Sequence, residues 1–107
     1  MPTITEISQM MTEGFVPEKS TGTDAIIQFD LSGENGGQFW LHINDGALET
    51  GEGAHDSPKM TLKANADDWV KVSTGELNAM QAFMSGKIKI QGDMSLAMKM
   101  QAMFKTS

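Results

Sequence analysis

The chain of 107 residues has no cysteine. Disulfides, thiolate metal sites and cysteine nucleophiles are therefore excluded, and the redox compartment is left open. It also has no arginine, and its eight lysines face fourteen acids for a formal charge of −6. A surface of that sign repels phosphate backbones, which argues against a nucleic-acid partner. No window approaches the length of a membrane span, and Met1-Pro2-Thr3-Ile4 lacks the basic start and apolar run of a signal peptide. The expectation is a cytoplasmic protein forming a single domain over residues 1–107. A chain of this size buries enough surface for one core, with little to spare for an internal cavity unless the cavity is filled.

The charge is uneven. Residues 1–84 hold four lysines and thirteen acids, −9, whereas residues 85–107 hold four lysines and one acid, Asp93, +3. Catalytic constellations are scarce. His42 and His55 have no metal-ligand spacing, and adjacent Asp67 and Asp68 diverge on a helix and complement its dipole instead of pairing. Ser57 and Ser85 lack the context of a nucleophile elbow. Gly33 to Gly37 lacks the Lys-Ser/Thr of a phosphate loop and reads as a hairpin turn. No metal, cofactor or catalytic residue is assigned.

Thr3-Ile4-Thr5-Glu6 has the form of a capping box, and Ile4, Ile7, Met10 and Met11 share the face of the helix that follows, stopped by Gly14. Residues 17–23 are a connection. Ala25 to Leu31 alternates as a strand, as does the stretch carrying Phe39, Leu41 and Ile43, and Asn44-Asp45-Gly46 is a hairpin turn. Ala47 to Glu52 is a weak edge strand, and Lys59 to Ala64 a fourth strand. Asn65 caps a helix that buries Trp69, Val70 and Val72 and closes at Thr74-Gly75. A further helix from Glu76 gathers Leu77, Met80, Phe83 and Met84 and ends at Gly86. Ile88 and Ile90 then alternate with Lys87 and Lys89 in a fifth strand, Gly92 turns the chain, and Asp93 caps a last helix. Helix, four strands, two helices, strand and helix argue for an α+β fold with a largely antiparallel sheet.

That last helix is apolar over an arc of roughly 220°, through Met103, Leu96, Met100, Phe104, Ala97, Met94 and Met98. A helix on a sheet typically needs about 100° or a little more. The surplus is core contacted from two sides, a dimer seam or the wall of a ligand cavity. Gln101 falls inside the arc, where an amide needs a backbone group, a water or a ligand head group as partner.

The run from Gly86 to Gln101, Gly-Lys-Ile-Lys-Ile-Gln-Gly-Asp-Met-Ser-Leu-Ala-Met-Lys-Met-Gln, resembles the signature of the sterol carrier protein 2 family. Asp68-Trp69, Gly75-Glu76-Leu77-Asn78, Ala82-Phe83 and Ser85-Gly86 extend the likeness upstream, with Glu76 where many members carry lysine. The hairpins are similar more loosely. The resemblance implies a five-stranded sheet with helices on one side enclosing an apolar tunnel. It also implies non-catalytic binding and transfer of a hydrophobic lipid: fatty acid, acyl-CoA, phospholipid, sterol or isoprenoid quinone.

Most of the ten methionines fall on candidate helices, and flexible thioethers remodel around ligands of varied shape. Together with the resemblance this gives a candidate lipid-binding set of Leu77, Met80, Phe83, Met84, Met94, Ala97, Met98, Gln101 and Phe104. Lys87, Lys89, Lys99 and Lys105 are candidates for transient contact with an anionic membrane surface or head group. The competing reading is an interaction or accessory module, a weak homodimer or part of a lipid- or quinone-handling assembly, with the methionine-rich helix as its interface.

Overall fold

The computed structural model describes residues 3–34 and 36–104, the side chain of Gln101 excepted. Its first element is α1, Ile4–Gly14, which begins where the capping box places it. Thr3 Oγ1 accepts from the Glu6 N–H and Glu6 Oε1 accepts from the Thr3 N–H, each at 3.2 Å. After a turn of 3-10 helix at Pro17–Ser20 come β1 (Asp24–Ser32), β2 (Gly37–Asn44), β3 (Ala47–Glu52) and β4 (Met60–Asn65). Then follow α2 (Ala66–Ser73), α3 (Ala79–Met84), β5 (Ile88–Gly92) and α4 (Met94–Met103).

The five strands form one sheet in the order β3-β2-β1-β4-β5. β1 pairs antiparallel with β2 and parallel with β4, and the other two pairings are antiparallel. Alternation sends Ala25, Ile27, Phe29 and Leu31 of β1 to one face, with Phe39, Leu41 and Ile43 of β2 and Met60, Leu62 and Ala64 of β4 beside them. These residues join buried side chains of all four α-helices in one core, so the helices lie on one side of the sheet. The fold is α+β. Register places Phe29 opposite Phe39, and their rings stack at 4.6 Å between centroids. Trp69 of α2 tilts against Phe29 at 5.5 Å.

The other sheet face is covered in part by the 53–58 loop. Gln28, which local pattern assigns to solvent, is buried there: its amide donates to the carbonyls of Phe39 and Gly53, and its oxygen accepts from the His55 N–H at 2.7 Å. Both histidines have partners on this face. His42 Nε2 lies 2.8 Å from Asp24 Oδ1, and the His55 ring meets Trp40 edge-on. The hairpin at Asp45-Gly46 has φ of +46° and +90°, the left-handed pair that a tight turn between twisted strands requires.

Two local expectations are corrected. The helix expected from Glu76 starts later, because the Asn78 side chain accepts from the Gln81 N–H and caps α3 there. Leu77 precedes it in a turn folded back on α2, its N–H donating to the Lys71 carbonyl at 3.0 Å. Nor do Met80, Phe83 and Met84 form the buried side of α3: that side is Ala82, and the larger residues project outward. In α2 the buried residues are Ala66, Trp69 and Val72, while Val70 is half-buried.

Candidate functional site

Between the helix layer and β4–β5 lies a cavity of about 730 Å³, within the range of roughly 300–1,000 Å³ typical of sites for small molecules. Its floor is built from Leu62, Trp69, Val72, Ile88, Ala97 and Met100, all buried, with buried Met11 of α1 also among the lining residues. Its rim is Met80, Phe83, Met94 and Met98, exposed by 47, 36, 45 and 70%. Large apolar side chains with that much surface in water are held open at the mouth of an apolar space. The polar groups among the described lining residues, Ser73, Glu76, Asn78 and Gln81, belong to the end of α2 and to the connection into α3 and its first turn.

Local devices set each wall. Gly92 has φ +102°, and a Cβ there would sit 2.5 Å from the Lys59 carbonyl oxygen, so a side chain at this turn is excluded. The next residue, Asp93, accepts from the Leu96 N–H at 3.1 Å and fixes the start of α4, and with it Met94, Ala97 and Met98. At the other end of α4 the Val16 N–H donates to the Met103 carbonyl at 2.7 Å, and the rings of Phe15 and Phe104 meet at 5.5 Å. The whole wall is thus pinned at both ends. Asp93→Ala is expected to lower stability by about 1 kcal/mol through loss of the cap. Urea unfolding followed by circular dichroism checks it; an unchanged midpoint would show that α4 is held by packing alone.

Of the residues singled out from the sequence, Leu77, Met80, Phe83, Met94, Ala97, Met98 and Phe104 are brought together around this cavity. Met84 is not among the lining residues; it is 79% exposed, because α3 turns its Ala82 side inward. The Gln101 side chain and Lys105 lie outside the described residues. Lys87 and Lys89 are exposed, and alternation with buried Ile88 turns them to the face away from the helices, where Lys89 stands opposite Lys63. Lys99 is on α4 beside a small recess that it shares with Lys59, Asp24 and Asp93. The three described lysines therefore do not form one patch.

Sequence reasoning left out the floor: Leu62, Trp69, Val72, Ile88 and Met100, with Met10 and Met11 of α1. Their helical and strand periodicities are those of ordinary core residues, and periodicity does not distinguish a side chain facing another element from one facing a space. The available signal was the tryptophan itself, a large side chain on a short helix already crowded by the sheet.

Comparison with known proteins gives a consistent result. Residues 9–105 match the model of the SCP-2 sterol transfer family. Bovine hydroxysteroid dehydrogenase-like protein 2 (Bos taurus) is 41% identical over 80 residues, covering 74% of this chain and 19% of the relative. The chain thus spans about a fifth of the length of the curated relatives it matches. Among solved structures, sterol carrier protein domain 2 of Helicoverpa armigera superposes with a TM-score of 0.67 at 30% identity, over 90% of this chain and 80% of that one. Palmitated SCP2L2 from Aedes aegypti gives 0.75 at 18% identity, over 98 and 97% of the two chains.

Proposed function

The chain belongs to the SCP-2 sterol transfer family, and on that premise we propose that it binds one hydrophobic lipid in the cavity between α2, α3 and α4 and carries it without making or breaking a bond. The observation that carries this reading is the cavity's construction: an apolar floor in the core of a small domain, and a rim of methionine and phenylalanine left in water. An acyl chain or ring system binds there because water excludes it, gaining about 25 cal/mol for each Å² of apolar surface buried, less the entropy of association. Unbranched thioethers at the mouth adapt to different outlines, so selection by shape is weak. The described lining residues include no histidine, lysine or cysteine, and the reading is accordingly of a carrier. A tunnel running through the helix layer belongs to the same proposal, as does brief contact of the rim with a membrane during exchange.

Native mass spectrometry of gently purified protein, followed by solvent extraction, tests it. A one-to-one lipid adduct is expected in the wild type. In Met98→Glu, which sets a carboxylate at the rim, the adduct is expected to fall by at least about tenfold, a loss of roughly 1.4 kcal/mol. An empty dimer that becomes monomeric in the same variant would instead make the exposed methionines a protein seam.

A further inference from the structure

Of the large apolar side chains left exposed among the described residues, all but Phe83 are methionine. Met80, Met94 and Met98 of the cavity rim are exposed by 47, 45 and 70%, and Met84, one turn beyond Met80 on α3, by 79%. Met94 and Met98 likewise stand one turn apart on α4. Elsewhere the sulfurs are shielded: Met11, Met60, Met100 and Met103 are exposed by 6% or less. Leucine would line such a mouth with hydrocarbon alone, whereas methionine adds a sulfur that changes oxidation state. With no cysteine in the chain, the thioether is the group that a hydroperoxide oxidises most readily here.

Resting on the carrier reading above, we propose that Met80, Met94 and Met98 form a modification site for water-borne hydroperoxides, and that their conversion to sulfoxides drives lipid out of the cavity. In the step the thioether lone pair attacks a peroxide oxygen, the O–O bond breaks and an S–O bond forms. Sulfur is oxidised by two electrons, the peroxide is reduced by two, and the proton of the transferred oxygen passes to the departing one, which leaves as water or alcohol. The product is a polar side chain with an oxygen that accepts hydrogen bonds. At an empty mouth, water satisfies that oxygen. A lipid seated across the rim removes the water, and the polar groups among the described lining residues lie on α2, α3 and their connection, away from α4, where Met94 and Met98 stand. The sulfoxide is therefore tolerated by the empty protein and opposed by the loaded one. Met84 separates exposure from position: it is on the same helix as Met80 and more exposed, but is not among the residues lining the cavity.

Hydrogen peroxide is the probe, applied to empty protein and to protein loaded with palmitate or with hexadecanol, and sulfoxide at each position is followed by peptide mass spectrometry. In the empty protein Met80, Met84, Met94 and Met98 are expected to oxidise about tenfold faster than the buried methionines, in rough proportion to their exposure. Loading is expected to slow Met80, Met94 and Met98 and to leave Met84 at its own rate. Once the exposed positions are converted and the buried ones are not, the urea midpoint is expected to be unchanged. Affinity for both lipids is expected to fall at least about tenfold, the cost of covering one unpaired polar group. Met84→Leu is expected to show the same fall. In a variant combining Met80→Leu, Met94→Leu and Met98→Leu, peroxide is expected to change affinity by less than about twofold from that variant's own untreated value. Undiminished affinity in wild-type protein that carries the three rim sulfoxides overturns the proposal and leaves the carrier reading intact, as does a fall that persists in the triple variant. Failure of the untreated wild type to bind either lipid overturns the carrier reading and the proposal with it. The wild-type series decides even if the triple variant folds poorly.

Discussion

Phe29→Ala is expected to lower the stability of the folded chain by about 3–5 kcal/mol, the range for removing a fully buried aromatic ring. Phe29 is 0% exposed on the central strand of the sheet, stacked on Phe39 at 4.6 Å on one side and tilted against Trp69 at 5.5 Å on the other. Removing its ring leaves both neighbours without a partner, and neither can collapse into the gap: Phe39 is fixed by strand register and Trp69 by the capped start of α2. A domain of this size is stable by only about 5–15 kcal/mol, so the variant is expected to be close to unfolding at physiological temperature. Phe29→Leu, which refills most of the volume, is expected to cost under about 1.5 kcal/mol. Urea titrations monitored by circular dichroism and by tryptophan emission measure both. A loss of less than about 1 kcal/mol in Phe29→Ala would mean that the sheet and α2 are joined elsewhere, and that Trp69 is not positioned through this stack.

The same cluster shows what local sequence carries and where it stops. Strand alternation at Ala25 to Leu31 and Phe39 to Ile43 is a direct consequence of one buried face, so those elements and the side that faces the helices are legible residue by residue. The capping groups of α1, α2 and α4 are legible because each satisfies a donor within three residues along the chain. The start of α3 was missed although Asn78 is a capping residue of the same kind. Glu76-Leu77 upstream also suits a helix, and the deciding bond, from the Leu77 N–H to the Lys71 carbonyl, is made to α2. The parallel pairing of β1 with β4 and the burial of Gln28 are likewise products of contacts distant in sequence. At the site, the rim was readable because exposed methionines exceed what one packing partner uses, and the floor was not, because Trp69 and Val72 are spaced like any buried helix stripe.

That division between rim and floor gives the second large effect. Ala97→Phe is expected to cut ligand-dependent stabilisation by about half or more while leaving the empty protein within about 1 kcal/mol of wild type. Ala97 is 5% exposed, sits on the cavity side of α4 and carries the smallest side chain on that wall. A phenyl ring projecting from this position enters space that is already lined by apolar atoms, so it recovers dispersion contacts that the empty cavity lacks and removes the volume that a lipid would fill. The two consequences have opposite signs for the two states. A ligand at a hundred times its Kd raises stability by about 2.7 kcal/mol in the wild type, whereas an affinity weakened tenfold or more leaves about 1.4 kcal/mol or less at the same concentration. Thermal unfolding of both proteins with and without hexadecanol measures the difference directly. If Ala97→Phe retained the full ligand-induced rise, the lipid would be bound outside this cavity, and exposed Met84, together with the rim, would become the surface to test. If instead the empty variant lost several kcal/mol, the wall of α4 would have no room to accept a ring, and the space beneath it would be too narrow for a lipid chain.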